Sequence, residues 1–140
     1  MHSSSNRLAV AWVLMVAAVA LHVVDETLTD FLPFYNELVS NLKERIGFFP
    51  MPTFSFGIWL GGLIGAVVIG FLLTPFMARG GRLSRAVAVI LGLIMIANSL
   101  GHMIGSIFFG RFLPGFWSSP ILLATAVMVV AAGVRGRREY

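Results

Sequence analysis

His22-Val23-Val24-Asp25-Glu26 sets one imidazole three and four residues before two carboxylates. Side chains at those spacings share a helix face, so His22 lies beside both Asp25 and Glu26 if the segment is helical. Further on, Asn98, His102 and Ser106 recur every four residues and form a second polar stripe. Two imidazoles and two carboxylates match the ligand sets of Zn, Mn or non-haem Fe. The candidate metal ligands are therefore His22, Asp25, Glu26 and His102, with Asn98 and Ser106 in support. Asp25 and Glu26 are also the candidate acid-base groups. A metal held there could activate water to hydrolyse a lipid or an amide, or handle oxygen chemistry on a hydrophobic substrate. Whether the chain is an enzyme stays open at this level.

Other chemistry suits the same residues. Carboxylates and histidines in a helical bundle form proton relays in transporters. Adjacent buried carboxylates cannot both ionise cheaply. A metal-free acid-base pair could act on a sterol-like or isoprenoid molecule, with Trp59 and the Phe-rich helix ends as walls. A haem bridging His22 and His102 is a variant of that reading. The plainest alternative is a hydrogen-bonded strut between helices.

The elements that must position these groups are apolar. The chain has 140 residues, 58% hydrophobic and only 11% charged. A soluble domain carries roughly 25% charged residues, so a lipid environment is expected. The absence of cysteine excludes disulfides, thiolate ligands and a thiol nucleophile. The net charge of +4 comes from basic residues in the gaps between apolar runs, which argues for membrane topology and against nucleic acid.

A spanning helix needs about 20 mostly apolar residues. Four segments qualify, near 8–28, 54–78, 86–109 and 117–134. The expectation is an all-α, single-domain, integral membrane four-helix bundle over residues 1–140. Arg7 and the small-x-small pattern Ala18-Val19-Ala20 resemble a signal peptide. The apolar run continues through Leu21, Val23 and Val24, so a retained span is expected instead. Arg7, Arg79, Arg82, Arg85, Arg135, Arg137 and Arg138 fall on one side, and Lys43, Arg45 and Arg111 on the other. This bias puts both termini in the cytoplasm of a cell-membrane protein.

Between the first two spans, Tyr35, Leu38, Leu42 and Ile46 recur at helical spacing opposite Glu37, Asn41, Lys43, Glu44 and Arg45. This predicts a short amphipathic helix over 34–46, lying in the outer interface or packed on the bundle. Gly57, Gly61 and Gly65 make a small-residue face on the second span. It is expected to seat another helix of the same chain, with a homodimer contact as the alternative. Gly101 and Gly105 repeat the step on the third span. Thr74-Pro75 should bend the second.

Two details connect the spans. Helical rise puts His22 roughly 21 Å beyond Leu8 and His102 roughly 24 Å beyond Ala86. Entering from the same side, the two histidines reach similar depth, which makes a site shared by the first and third spans. His22 is followed by Phe31-Leu32-Pro33-Phe34, and His102 by Phe112-Leu113-Pro114-Gly115, the trace of an internal repeat.

In these residues the chain resembles the membrane proteins with the HXXEE motif. Their His-x-x-Glu-Glu falls late in the first apolar helix, where this chain has His22, Asp25 and Glu26. Asn98, His102, Arg111, Pro114 and Gly115 look similar to a later Asn, His and Pro-Gly exit in that family. The resemblance covers most of the chain and implies a membrane architecture with weight on these positions. It implies no activity. Asp25 replaces the motif's first Glu, so a site tuned to the longer side chain would differ here.

Overall fold

A computed structural model describes residues 2–135. Arg137 and Arg138, counted above for orientation, lie outside the described residues. The described chain is helical: α1 His2–Leu28, α2 Phe31–Ile46, α3 Phe56–Leu72, α4 Thr74–Ala78, α5 Arg82–Phe109 and α6 Ser119–Arg135. Three stretches are long and apolar enough to cross a membrane: Asn6–Leu28, Phe56–Ala78 and Arg82–Phe109. The fourth expected span is the shorter α6, with 17 residues.

The breaks have local causes. α1 stops where Asp30 adopts a left-handed conformation, φ 59°. Asp tolerates that region better than most residues. α2 then starts at Phe31, three residues before the predicted start, with Pro33 in its first turn, where the missing N–H costs nothing. Gly47, at φ +76°, closes it and donates its N–H to the Lys43 carbonyl. Pro75 has no N–H to continue the ladder, so the second span divides into α3 and α4 at Leu73.

α1 is the centre of the arrangement, packing on α6, α3 and α4, while α5 packs mainly on α6. The core joins Leu8, Trp12, Met15 and Val16 of α1 to Met77 of α4, Ala88 of α5, and Leu122, Ala126 and Val129 of α6. The indole of buried Trp12 donates to the Gly70 carbonyl at 2.8 Å, beside the proline break. A Cβ at Gly70 would stand 3.0 Å from the Val16 methyls, so glycine is what lets α1 come this close.

The glycine face of α3 is a correction. A Cβ at Gly57, Gly61 or Gly65 would meet nothing within 4 Å among the described residues, so none of the described helices sits there. α3 is held at its ends instead. Trp12 grips Gly70, and Asn36 pairs with both the carbonyl and the N–H of Phe54. The close helix contact lies between α5 and α6. There a Cβ at Gly92 would fall 2.8 Å from Val130, and one at Gly133 would fall 2.6 Å from Val89. Gly101 is open, and Gly105 receives Leu113. The outer surface is rich in exposed Ile, Leu, Val and Phe, among them Ile58, Ile104, Ile107 and Phe108.

Candidate metal centre

The last two turns of α1 carry His22 and Glu26 inward, 4% and 6% exposed, and α5 brings His102, 8% exposed. Glu26 Oε1 lies 3.4 Å from His22 Nε2 and 3.1 Å from His102 Nε2. The three side chains each offer a ligand atom within 4.8 Å of the others. The imidazoles meet edge to face, centroids 4.8 Å apart. α1 and α5 touch little elsewhere, because α6 lies against both. The cluster is thus a principal link between them.

The remaining predicted residues divide. Asn98 joins the group, its Nδ2 donating to His22 Nε2 at 3.0 Å. Asp25 does not. Its Oδ2 accepts the Ser118 backbone N–H at 2.8 Å and the Ser118 hydroxyl at 2.7 Å. Ser106 serves the backbone, donating to the His102 carbonyl at 2.7 Å and accepting the Leu113 N–H at 2.9 Å.

The Ser118 hydroxyl gives its one hydrogen to Asp25 Oδ2. The Ser118 oxygen, 2.7 Å from His22 Nδ1, must then accept the hydrogen on that nitrogen. Nε2 keeps its lone pair, which here accepts from Asn98 Nδ2, so a metal bound at this nitrogen would displace the amide. Carboxylate–serine–imidazole support of this kind orients a metal-binding histidine.

Ser118 and Gly115 were missed as site residues. Gly115 entered only through the suspected repeat and the family resemblance, and Ser118 not at all. Gly115 takes φ +81°. A Cβ there would come within 2.8 Å of His102 and 3.0 Å of His22, so the turn presses its bare backbone onto both rings. Its carbonyl accepts the Ser119 hydroxyl at 2.7 Å, and its N–H reaches Thr29 Oγ1 at 3.3 Å. The sequence signal was there: Pro-Gly ahead of Ser-Ser at the start of an apolar run marks a tight turn into a helix N-terminus. The suspected repeat converges here in position only. Leu32 and Leu113 are both buried, yet the first Phe-Leu-Pro opens a helix and the second is a turn.

The arrangement fits a small cation. Two ring nitrogens and a carboxylate oxygen gathered this closely can hold a cation between them, as they can a ring N–H donated to the carboxylate. Around a tetrahedral ion with bonds of about 2.0–2.1 Å, ligand atoms are spaced about 3.3 Å apart. The 3.1 and 3.4 Å separations agree. A haem between the histidines does not fit, because ring centroids 4.8 Å apart, meeting edge to face, leave no room for a porphyrin plane.

These features define a helical protein with three apolar helices of membrane-spanning length and a buried His/Glu/His group. The chain belongs to the family described as "Protein of unknown function with HXXEE motif", whose model matches residues 13–130. That stretch holds every residue of the cluster, including Gly115 and Ser118. No curated protein matches the chain, and no solved structure does.

Proposed function

We propose that this is an integral membrane protein with a divalent-metal centre, held by His22 and Glu26 of α1 and His102 of α5. The observation that carries the reading is the convergence of three buried donor atoms within 4.8 Å of one another, with two of the separations, 3.1 and 3.4 Å, close to tetrahedral spacing. Two histidines and one carboxylate serve both Zn hydrolases and non-haem Fe oxygenases, and each leaves positions for substrate or water. Mn is the third candidate. In this reading Asp25 acts through Ser118 rather than as a ligand, and the centre works on a lipophilic substrate. The basic residues, Arg7, Arg79 and Arg82 among those described, orient both termini to the cytoplasm. A C-terminal tag found outside the cell would overturn that topology.

The deciding experiment is elemental analysis of protein purified in detergent. About one equivalent of Zn, Mn or Fe per chain is expected, one ion for the three-donor group found among the described residues. Glu26→Gln and His102→Ala should reduce it to background while circular dichroism reports an unchanged helix content. Wild-type protein without metal at near-neutral pH sinks the reading.

One observation favours a second reading. Asp25, Ser118, His22, Glu26 and His102 form an unbroken chain of contacts between 2.7 and 3.4 Å. Such a chain suits a proton relay in a small transporter. Proton flux into proteoliposomes that survives Glu26→Gln would exclude it.

A further inference from the structure

Two cavities meet at Thr27. The first, about 410 Å³, lies between the second half of α1 and the facing side of α3. Val23, Val24 and Leu28 line one wall, and Leu60, Ile64 and Val67 the other. α3 is tied to α1 through Trp12 and Gly70 at one end and to α2 through Asn36 and Phe54 at the other. Apart from Thr27 its lining is apolar, and the Thr27 hydroxyl is spent on the Val23 carbonyl at 2.6 Å. The second, about 310 Å³, lies beside α2 and shares Thr27 with the first as a lining residue. It is walled by Phe31 and Trp59, whose rings stack at 6.1 Å, and Glu26 and Asp30 line it as well. Phe31 is also 5.4 Å from the His102 ring. Each volume is of the size that holds a small molecule, roughly 300–1,000 Å³.

The pairing specifies an occupant. A long apolar slot opening sideways among exposed hydrocarbon side chains takes a hydrocarbon tail. The adjoining chamber takes whatever polar end that tail carries and places it against Glu26. No basic side chain lines either cavity, and two carboxylates line the second. Asp30, which the metal-centre reading leaves without a cation, would repel a negatively charged head. The Asn36 amide, also on the wall, is consumed by Phe54. The carboxylates that remain accept hydrogen bonds, so the head must donate them. We propose that the ligand is a single-chain amphiphile whose head donates hydrogen bonds and carries no negative charge, its tail between α1 and α3 and its head at Glu26. The proposal rests on the metal-centre reading for what happens to the head, and on the cavities alone for binding.

The probe is a long-chain alcohol with a photoreactive group at mid-chain, added to the purified full chain in detergent. Labelling is expected on the 23–28 and 60–68 segments. Val24 and Ile64 are half-exposed, so a larger residue enters the slot without disturbing the core. Val24→Trp and Ile64→Trp should each reduce labelling at least about tenfold, with metal content unchanged, since that change corresponds to about 1.4 kcal/mol of lost tail contact. With the metal removed by a chelator, a long-chain amine should compete as well as the alcohol, and the fatty acid of equal length at least about tenfold worse. Labelling spread over outward positions such as Ile58 and Ile104, and indifferent to both Trp variants, overturns the proposal. So does equal competition by the fatty acid. Specific labelling of a metal-free wild type would retain the amphiphile and reject the metal centre. Bound metal with unspecific labelling would do the reverse.

Discussion

His22 Nδ1 stands 2.7 Å from the hydroxyl oxygen of Ser118, a residue 96 positions later in the chain. The contact joins α1 to the turn before α6 and holds the imidazole with its other nitrogen facing Glu26 and Asn98. Ser118→Ala removes the acceptor for the Nδ1 hydrogen and one of the two donors to Asp25. Metal affinity should fall about 10- to 100-fold, the usual cost of losing a residue that orients a ligand. Ser118→Thr keeps the hydroxyl and should stay near wild type. Chelator competition measures the affinity, and nitrogen chemical shifts of the labelled histidine report the tautomer. Equal affinities for all three proteins would remove Ser118 from the centre.

Gly115 meets the same rings from the opposite chemistry, by having no side chain. Gly115→Ala imposes a left-handed backbone on alanine and drives its methyl into His102 and His22. The strain alone is worth about 1–3 kcal/mol, and displaced rings should lose the metal as well. Gly47→Ala is the control, because Gly47 has a similar φ of +76° with nothing within 4 Å. Both variants should unfold at lower temperature, but only Gly115→Ala should lose metal. If Gly115→Ala binds metal normally, the pressure of this turn on the rings is irrelevant to the site.

Much of this was legible in the sequence, for a geometric reason. Helical rise is constant, so the positions of His22 and His102 along their apolar runs translate directly into depth. Their meeting at Glu26 follows once the helices run in the same direction. What lies across the helix axis was not legible. Asp25 and Glu26 are adjacent and alike in chemistry, yet roughly 100° of helical rotation sends one to Ser118 and the other to the imidazoles. Which glycine accepts a neighbour depends on where helices cross, so Gly92 and Gly133 are packed while the more regular Gly57, Gly61 and Gly65 are open. Ser118 reads locally as a helix start, and its role arises only from a partner far away in the chain.

That division of the two carboxylates gives a direct comparison. Glu26→Gln keeps the size but removes the charge next to both imidazoles, so bound metal should drop to background. Asp25→Asn retains an oxygen that can accept from Ser118, so the metal should remain bound with weaker affinity. Metal per chain, measured on both variants in parallel, reads the difference. If Asp25→Asn loses as much metal as Glu26→Gln, Asp25 is a ligand after all.

The Trp12 indole tests whether the site and the scaffold are separable. Its N–H is the partner of the Gly70 carbonyl, in a wall where the helix is already interrupted by Pro75. Trp12→Phe keeps an aromatic ring but leaves that carbonyl unsatisfied in a buried setting, at a cost of about 1–3 kcal/mol. It also opens a small void beside Val16 and Met77, because Trp12 is among the most deeply buried side chains. Trp12 precedes His22 on α1 by roughly 15 Å of helical rise, and the metal contacts come from the far end. Thermal unfolding in detergent should shift downward while metal stoichiometry stays at the wild-type value. An unchanged melting temperature would mean that the hydrogen bond contributes nothing to holding α3. Lost metal would mean that the α1–α3 seam and the His/Glu/His cluster form one cooperative unit.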